Sequence, residues 1–130
     1  MTPEFGIIEG YFGRSWSWAD RHEVICRLAP AGYTYFHYAP KIDSKLRRNW
    51  RQLHDEEETK NLRQFVEHCQ NLGMRSGIGI TPYGAHLGFE RTTRMELQTK
   101  IANLDAIGFD DLVILFDDMR GDYADLAERQ

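Results

Sequence analysis

One pattern recurs three times along the chain and limits what it can become. An amphipathic stretch ends in a glycine, and a strand-like run follows at once: "LAPAGYTYFHY", "CQNLGMRSGIGI" and "LDAIGFDDLVILF". Glycine just past a helix accepts the left-handed backbone that closes the last turn. The spacing therefore predicts helices over about Trp18 to Leu28, from the Asp55 cap through Leu72, and over about Thr93 to Ile107. The middle helix is the clearest, with Leu62, Phe65, Val66, Cys69 and Leu72 at three-and-four spacing. Glu56, Glu57 and Glu58 set negative charge against its positive dipole end. The first helix presents Val24, Ile25 and Leu28 after a Ser17 cap with Asp20 three residues on, and the third presents Leu97, Ile101, Leu104 and Ile107.

Four strands are expected around these helices: Gly6 to Glu9, Thr34 to Tyr38, Arg75 to Ile80 and Leu112 to Phe116. Alternation of strand and helix at this spacing means parallel strands with right-handed crossovers. After the fourth strand, "GDYADLAERQ" starts a fourth helix, with Asp122 placed to cap it. A doubly wound sheet would carry a G-x-G-x-x-G phosphate turn after its first strand. That turn reads "EGYFGRSW" and does not fit. The fold expected is α/β, a parallel (β/α)4 half of a TIM-type (β/α)8 barrel whose full form takes roughly 250 residues. No linker, charge block or low-complexity run divides the 130 residues, so 1–130 reads as one domain.

A formal charge of -4 leaves no excess of Lys or Arg to neutralise phosphates, which argues against a nucleic-acid partner. No run of about eighteen apolar residues and no secretory leader occurs, so no membrane partner is expected. The two cysteines, Cys26 and Cys69, fall on helices and read as small buried hydrophobes in a reducing, cytoplasmic setting. The five histidines show no metal-ligand spacing, so neither a metal nor another cofactor is expected.

In parallel β/α folds the chemistry sits at the carboxyl ends of the strands. Those ends read "EGYFGRSWSW", "HYAPKID", "TPYGAH" and "FDDM". They gather Glu9, Gly10, Arg14, Tyr38, Lys41, Asp43, Tyr83, His86, Asp117 and Asp118. Aromatic rings, one ammonium, glycines and carboxylates on one rim suit a sugar. Lys41 taken alone reads as a surface lysine, and Trp16, Trp18 and Trp50 as packing. Asp122 leaves Asp117 and Asp118 with no capping role. Two adjacent carboxylates repel, so one of them holds a proton near neutral pH, the state a general acid needs. Neighbouring strand residues point to opposite sides, so both aspartates reach the rim only if the strand end bends. Paired aspartates also hold Mg2+ in phosphoryl-transfer enzymes, but that reading wants a phosphate loop, and none is present.

Taken together, "GIIEGYFGRSWSWADR", "YFHYAPKIDSKLRRNWR" and "LVILFDDM" resemble the opening half of the catalytic barrel of family 84 glycoside hydrolases, the retaining β-N-acetylglucosaminidases that include O-GlcNAcases. The resemblance covers nearly the whole chain, with Tyr11 and Phe12 in the reverse of the family's usual order and "GITPYG" only loosely like its third-strand turn. It implies substrate-assisted catalysis, an exception to the two-carboxylate pattern, in which the sugar's acetamido oxygen attacks its own anomeric carbon to give an oxazoline. Asp117 would orient the acetamido N–H, and Asp118 would act as acid and then base. Gly10 and Lys41 would contact the sugar, with Tyr38 and Tyr83 as further binding candidates on the rim. The substrate implied is an N-acetylglucosamine-containing glycan or glycoprotein. A half-barrel exposes two sheet edges and an apolar interior, so the chain is expected to be either a fragment of a longer enzyme, missing its second half-barrel, or a short chain that completes itself as a homo-oligomer. A non-catalytic sugar-binding or assembly module that keeps the motif is the alternative.

Overall fold

The computed structural model describes residues 3–11, 13–85 and 90–116. Among the described residues strands and α-helices alternate, with one 3-10 turn between β2 and α2: β1 (Phe5–Glu9), α1 (Trp18–Leu28), β2 (Tyr33–Tyr38), a 3-10 turn (Ser44–Leu46), α2 (Glu56–Asn71), β3 (Arg75–Ile80), α3 (Arg91–Ile107) and β4 (Asp111–Ile114). The expected boundaries hold to within two residues. β4 begins at Asp111 because Asp111 already pairs with Gly77, and Arg75 Nη2 grips its carboxylate at 2.5 Å. The fourth helix expected around Asp122 lies outside the described residues.

All three pairings are parallel and the strand order is β1-β2-β3-β4. A doubly wound sheet reverses direction and sends helices to both faces. Here the order never reverses, and one core takes Ile25 from α1, Leu62 and Phe65 from α2, Leu104 and Ile107 from α3, and Phe36, Tyr38 and Ile78 from the sheet. The helices therefore share one face, as in an arc of a barrel wall.

Local chemistry explains why the units form. Gly32, Gly73 and Gly108 take φ of 97°, 72° and 111°, the left-handed turn that the repeated helix–glycine–strand pattern requires. Asp55 and Glu58 make a reciprocal capping box at the start of α2. Ser17 accepts the Asp20 amide at 3.1 Å to start α1.

The two faces of the sheet are built differently. Toward the helices it is packed with large side chains, and Phe36, Ile78 and Ile80 are fully buried. Toward the other face, glycines let aromatic rings of β2 lie across neighbouring strands. A Cβ on Gly6 would sit 2.3 Å from the Tyr35 ring, and one on Gly77 would sit 2.3 Å from the His37 ring. On that face Ile8 is 61% exposed, so an apolar side chain of the arc's interior meets solvent.

Two expectations about burial need correcting. Cys69 is buried, but Cys26 is exposed beside His68, because its position on α1 turns away from the core; both thiols are free. On α3, Leu104 and Ile107 are buried while Leu97 and Ile101 are only half-buried, and Lys100 is fully buried in line with Leu104 and Ile107. No helix among the described residues is long and apolar enough to cross a membrane.

Candidate active site

The parallel strands bring the loops after β1, β2 and β3 to one end of the sheet, and that rim is held from beneath by buried charge. Glu9, the last residue of β1, points into the helix layer. It accepts from Arg21 of α1 at 2.6 and 2.8 Å, a bidentate pair with side chains 0% and 3% exposed. Arg21 also donates to the Trp16 carbonyl at 2.9 Å and lies 4.2 Å from the Trp18 ring and 4.8 Å from the Tyr38 ring. Planar guanidinium suits such a position, because it can bind a carboxylate through its edge and an aromatic ring through its face. From the sequence, Glu9 falls at the rim with no partner assigned. Its carboxylate is instead committed to holding the first loop, which leaves Gly10 as the first rim residue.

Gly10 donates its N–H to the Ile8 carbonyl at 3.0 Å, and Ala39 donates to the Glu9 carbonyl at 3.1 Å, extending the β1–β2 ladder one residue past the strands. A Cβ on Gly10 would come no closer than 3.7 Å to its own chain, so internal packing does not dictate glycine there. The space it leaves lies on the rim.

Lys41 occupies a tight turn after β2, closed by donation from the Asp43 N–H to the Pro40 carbonyl at 3.1 Å. Tyr38, proposed from sequence as a rim residue, sits one layer below. It is 7% exposed, its ring is stacked on Trp18 at 5.3 Å, and its hydroxyl donates to Asp43 at 2.9 Å. Burial, together with the Asp43 charge, pushes the phenol well above its ordinary range, so it remains a donor. Asp43 also accepts the Lys45 amide at 3.1 Å and meets His54 Nε2 at 3.0 Å. Burial works against the charged form of this carboxyl. The hydrogen bond and charge of His54, with the bonds from Tyr38 and Lys45, outweigh that and hold it below the usual carboxylate range. A cavity of about 230 Å3 opens beside this cluster, lined by Trp18, Tyr38, Asp43 and His54 among others.

Tyr83, on the loop after β3, is tied to the β2 loop. Arg47 donates to its hydroxyl at 2.6 Å and to Thr81 Oγ1 at 3.3 Å, and the fully buried Trp50 donates from Nε1 to the Tyr83 carbonyl at 2.9 Å. The Thr81 amide donates to the Leu46 carbonyl at 2.7 Å. The structure thus brings Gly10, Lys41 and Tyr83 to one rim and places Tyr38 beneath it. Asp117, Asp118 and His86 lie outside the described residues. The ladder toward the aspartates continues past β4, where the Leu115 amide donates to the Ile80 carbonyl at 2.8 Å.

Neither Arg21 nor His54 was expected from the sequence to form part of this site. A signal for Arg21 was present, since it falls on the same helical stripe as Ile25 and Leu28, where a charge must find a buried partner. Among the described residues no group of three or more His, Cys, Asp or Glu side chains can hold a metal ion.

An arc of parallel strands with a polar rim at their carboxyl ends defines the class, a barrel-type α/β scaffold. Comparison makes it specific. A family model described as beta-N-acetylglucosaminidase matches residues 5–130. The Protein O-GlcNAcases of Rattus norvegicus and Mus musculus are each 29% identical over 115 residues, covering 88% of this chain and 12% of theirs. A solved mutant of the Thermobaculum terrenum O-GlcNAc hydrolase aligns with a TM-score of 0.82 at 26% identity, over 96% of this chain and 29% of that one. The structure of CpGH84B aligns with a TM-score of 0.79 over 88% of this chain and 21% of that one, and at 24% identity it speaks for the fold. The chain belongs to the β-N-acetylglucosaminidase family, the family 84 glycoside hydrolases, and its sheet is a half-barrel. It spans about an eighth of the length of the curated relatives it matches.

Proposed function

We propose that the chain supplies the first four β/α units of a retaining β-N-acetylglucosaminidase that removes β-linked N-acetylglucosamine from a glycan or glycoprotein. The observation that carries this reading is the extent of the family match. It runs from Phe5 to the last residue and takes in all four strand ends, the "DD" pair included. The Mg2+ alternative finds no support in those relatives.

In the proposed reaction the acetamido oxygen attacks the anomeric carbon while Asp118 donates a proton to the departing glycosidic oxygen, and a bicyclic oxazoline results. Asp118, now a carboxylate, takes a proton from water as the water opens that ring, which regenerates the acid and retains the configuration. Asp117 accepts from the acetamido N–H, aligns the oxygen for attack and offsets the positive charge that develops on nitrogen. Its own charge raises the proton affinity of Asp118, which suits the second residue to the acid role. The Gly10 carbonyl and the Lys41 ammonium bind sugar hydroxyls. Tyr83 borders the same rim, and Tyr38 serves by holding Asp43.

Residues 1–130 form one folding unit in a reducing, cytoplasmic setting, either as a fragment of a longer enzyme that carries the second half-barrel or as a short chain that self-associates. Hydrolysis of an aryl β-N-acetylglucosaminide by the chain and by Asp118→Asn tests the catalytic part. A loss of about 10²- to 10⁴-fold in kcat is expected for removal of a general acid. Equal rates would remove Asp118 from that role, and saturable N-acetylglucosamine binding without turnover would favour a binding module. A sizing column that returns a well-folded monomer would contradict self-association.

A further inference from the structure

Asp43 makes more hydrogen bonds than its local secondary structure needs. As the N-cap of the 3-10 turn it requires one oxygen, and Oδ1 serves, accepting the Lys45 amide at 3.1 Å. Oδ2 is engaged from two other directions, by the Tyr38 hydroxyl at 2.9 Å and by His54 Nε2 at 3.0 Å. His54 is itself only 8% exposed, and among the described residues its Nδ1 is buried with no partner, while its Nε2 meets Asp43. Leaving a buried polar atom unpaired costs stability, and the Nε2 bonds to Asp43 are what offset it.

These groups bracket the turn that carries Lys41. The turn from Pro40 to Asp43 is anchored upstream where Ala39 pairs with the Glu9 carbonyl, and it is closed by the Asp43 amide. The Tyr38–Asp43 bond then ties the end of β2 to the end of the turn, spanning the lysine that lies between them. Downstream, Lys45 pairs with Glu58 at the start of α2. Below, Tyr38 rests against Arg21, which holds Glu9. A continuous, largely buried chain therefore runs Glu9–Arg21–Tyr38–Asp43–His54 beneath the first two rim loops, with Asp43 half-buried at the cavity.

We infer that Asp43, clamped between Tyr38 and His54, is a positioning residue that sets the Lys41 turn at the rim for sugar binding. The inference rests on the proposed sugar-binding role of Lys41. Backbone held on both sides of a lysine restricts where its ammonium can reach, and a displacement of about 1 Å in such a group can cost on the order of 100-fold. Weaker binding of the ground-state sugar raises KM and leaves kcat nearly unchanged.

The test compares wild type, Asp43→Asn, Asp43→Ala and His54→Phe by two readouts. The first is steady-state hydrolysis of an aryl β-N-acetylglucosaminide, with N-acetylglucosamine binding alongside. Asp43→Ala should raise KM and Kd about 10- to 100-fold with kcat within about threefold, and Asp43→Asn, which keeps an acceptor, should recover most of the loss. The second readout needs no activity. Peptide mapping after brief acylation should show the labelling rate of Lys41 changed at least about fivefold in Asp43→Ala, with exposed Lys60 on α2 unchanged as the internal reference. If Asp43→Ala fails to fold, His54→Phe carries the same expectations, since it removes a partner of Asp43 and fills the ring's volume. Wild-type values in every folded variant, for KM and for Lys41 labelling, would overturn the inference. A wild-type chain that neither binds nor hydrolyses the sugar would overturn the functional reading instead, and Lys41 labelling would then decide the positioning claim alone.

Discussion

Arg21→Met should unsettle the rim more than any other single substitution, because it orphans a carboxylate that has no access to water. The Glu9 side chain is 0% exposed and Arg21 is its bidentate partner at 2.6 and 2.8 Å. Removing one partner of a buried ion pair costs about 3 to 5 kcal/mol, because the remaining charge keeps its desolvation penalty and loses its compensation. The variant also forfeits the stacking of the guanidinium on Trp18 and Tyr38. A domain of this size has a stability of about 5 to 15 kcal/mol, so the loss is a large share of the whole. It corresponds to a fall in Tm of about 10 to 20 °C. Urea denaturation of wild type, Arg21→Met, Glu9→Leu and the double variant measures it as a thermodynamic cycle. The double variant should be more stable than Arg21→Met alone, since apolar replacement of both partners of a buried pair is often close to neutral. A loss below about 1 kcal/mol for Arg21→Met, the value of a solvent-exposed pair, would mean that Glu9 is not held as a desolvated charge.

Other expectations rest on separate features. Asp55→Ala removes the capping box of α2 and should cost about 0.5 to 2 kcal/mol by urea unfolding. Gly79→Ala places a Cβ 2.9 Å from both the Ala39 Cβ and Leu115 Cδ1, and since Ala39 has no freedom to move aside, about 1 to 3 kcal/mol should be lost in the same assay. Lys100 is buried against the Gln52 carbonyl, and burial lowers its pKa from 10.5 to about 8. Below about pH 8 folded and unfolded chains both carry its proton, and between about 8 and 10.5 only the unfolded chain does. Wild-type stability should therefore climb through that window relative to Lys100→Met, whereas parallel pH profiles would contradict the shift.

The repeated helix–glycine–strand pattern made the architecture legible, because each glycine has one conformational job and each apolar stripe faces one sheet. Gly32, Gly73 and Gly108 all adopt the backbone the pattern demands. Strand ends blurred by a residue or two, since pairing partners such as Gly77 for Asp111 are invisible along the chain. Less legible was what supports the rim. Glu9 and Arg21 lie 12 residues apart, and Asp43 and His54 lie 11 apart, so nothing local pairs them. Charged residues on apolar stripes carried the hint: Arg21 stands in line with Ile25 and Leu28, and Lys100 with Leu104 and Ile107. Tyr38 shows the limit of reading strand ends as site residues. Strand alternation alone sends it toward the helices, where its hydroxyl meets Asp43.

Whether the sugar's own amide performs the first displacement can be read from a series of aryl glycosides bearing acetyl, fluoroacetyl, difluoroacetyl and trifluoroacetyl groups on the 2-amino nitrogen. Each fluorine makes the amide oxygen a poorer nucleophile and leaves the leaving group unchanged. With substrate assistance, kcat/KM falls stepwise across the series, by about two orders of magnitude or more from first to last, a barrier increase of about 3 kcal/mol. A flat series accompanied by undiminished turnover would contradict that mechanism, and would require a nucleophile from the protein in place of the substrate.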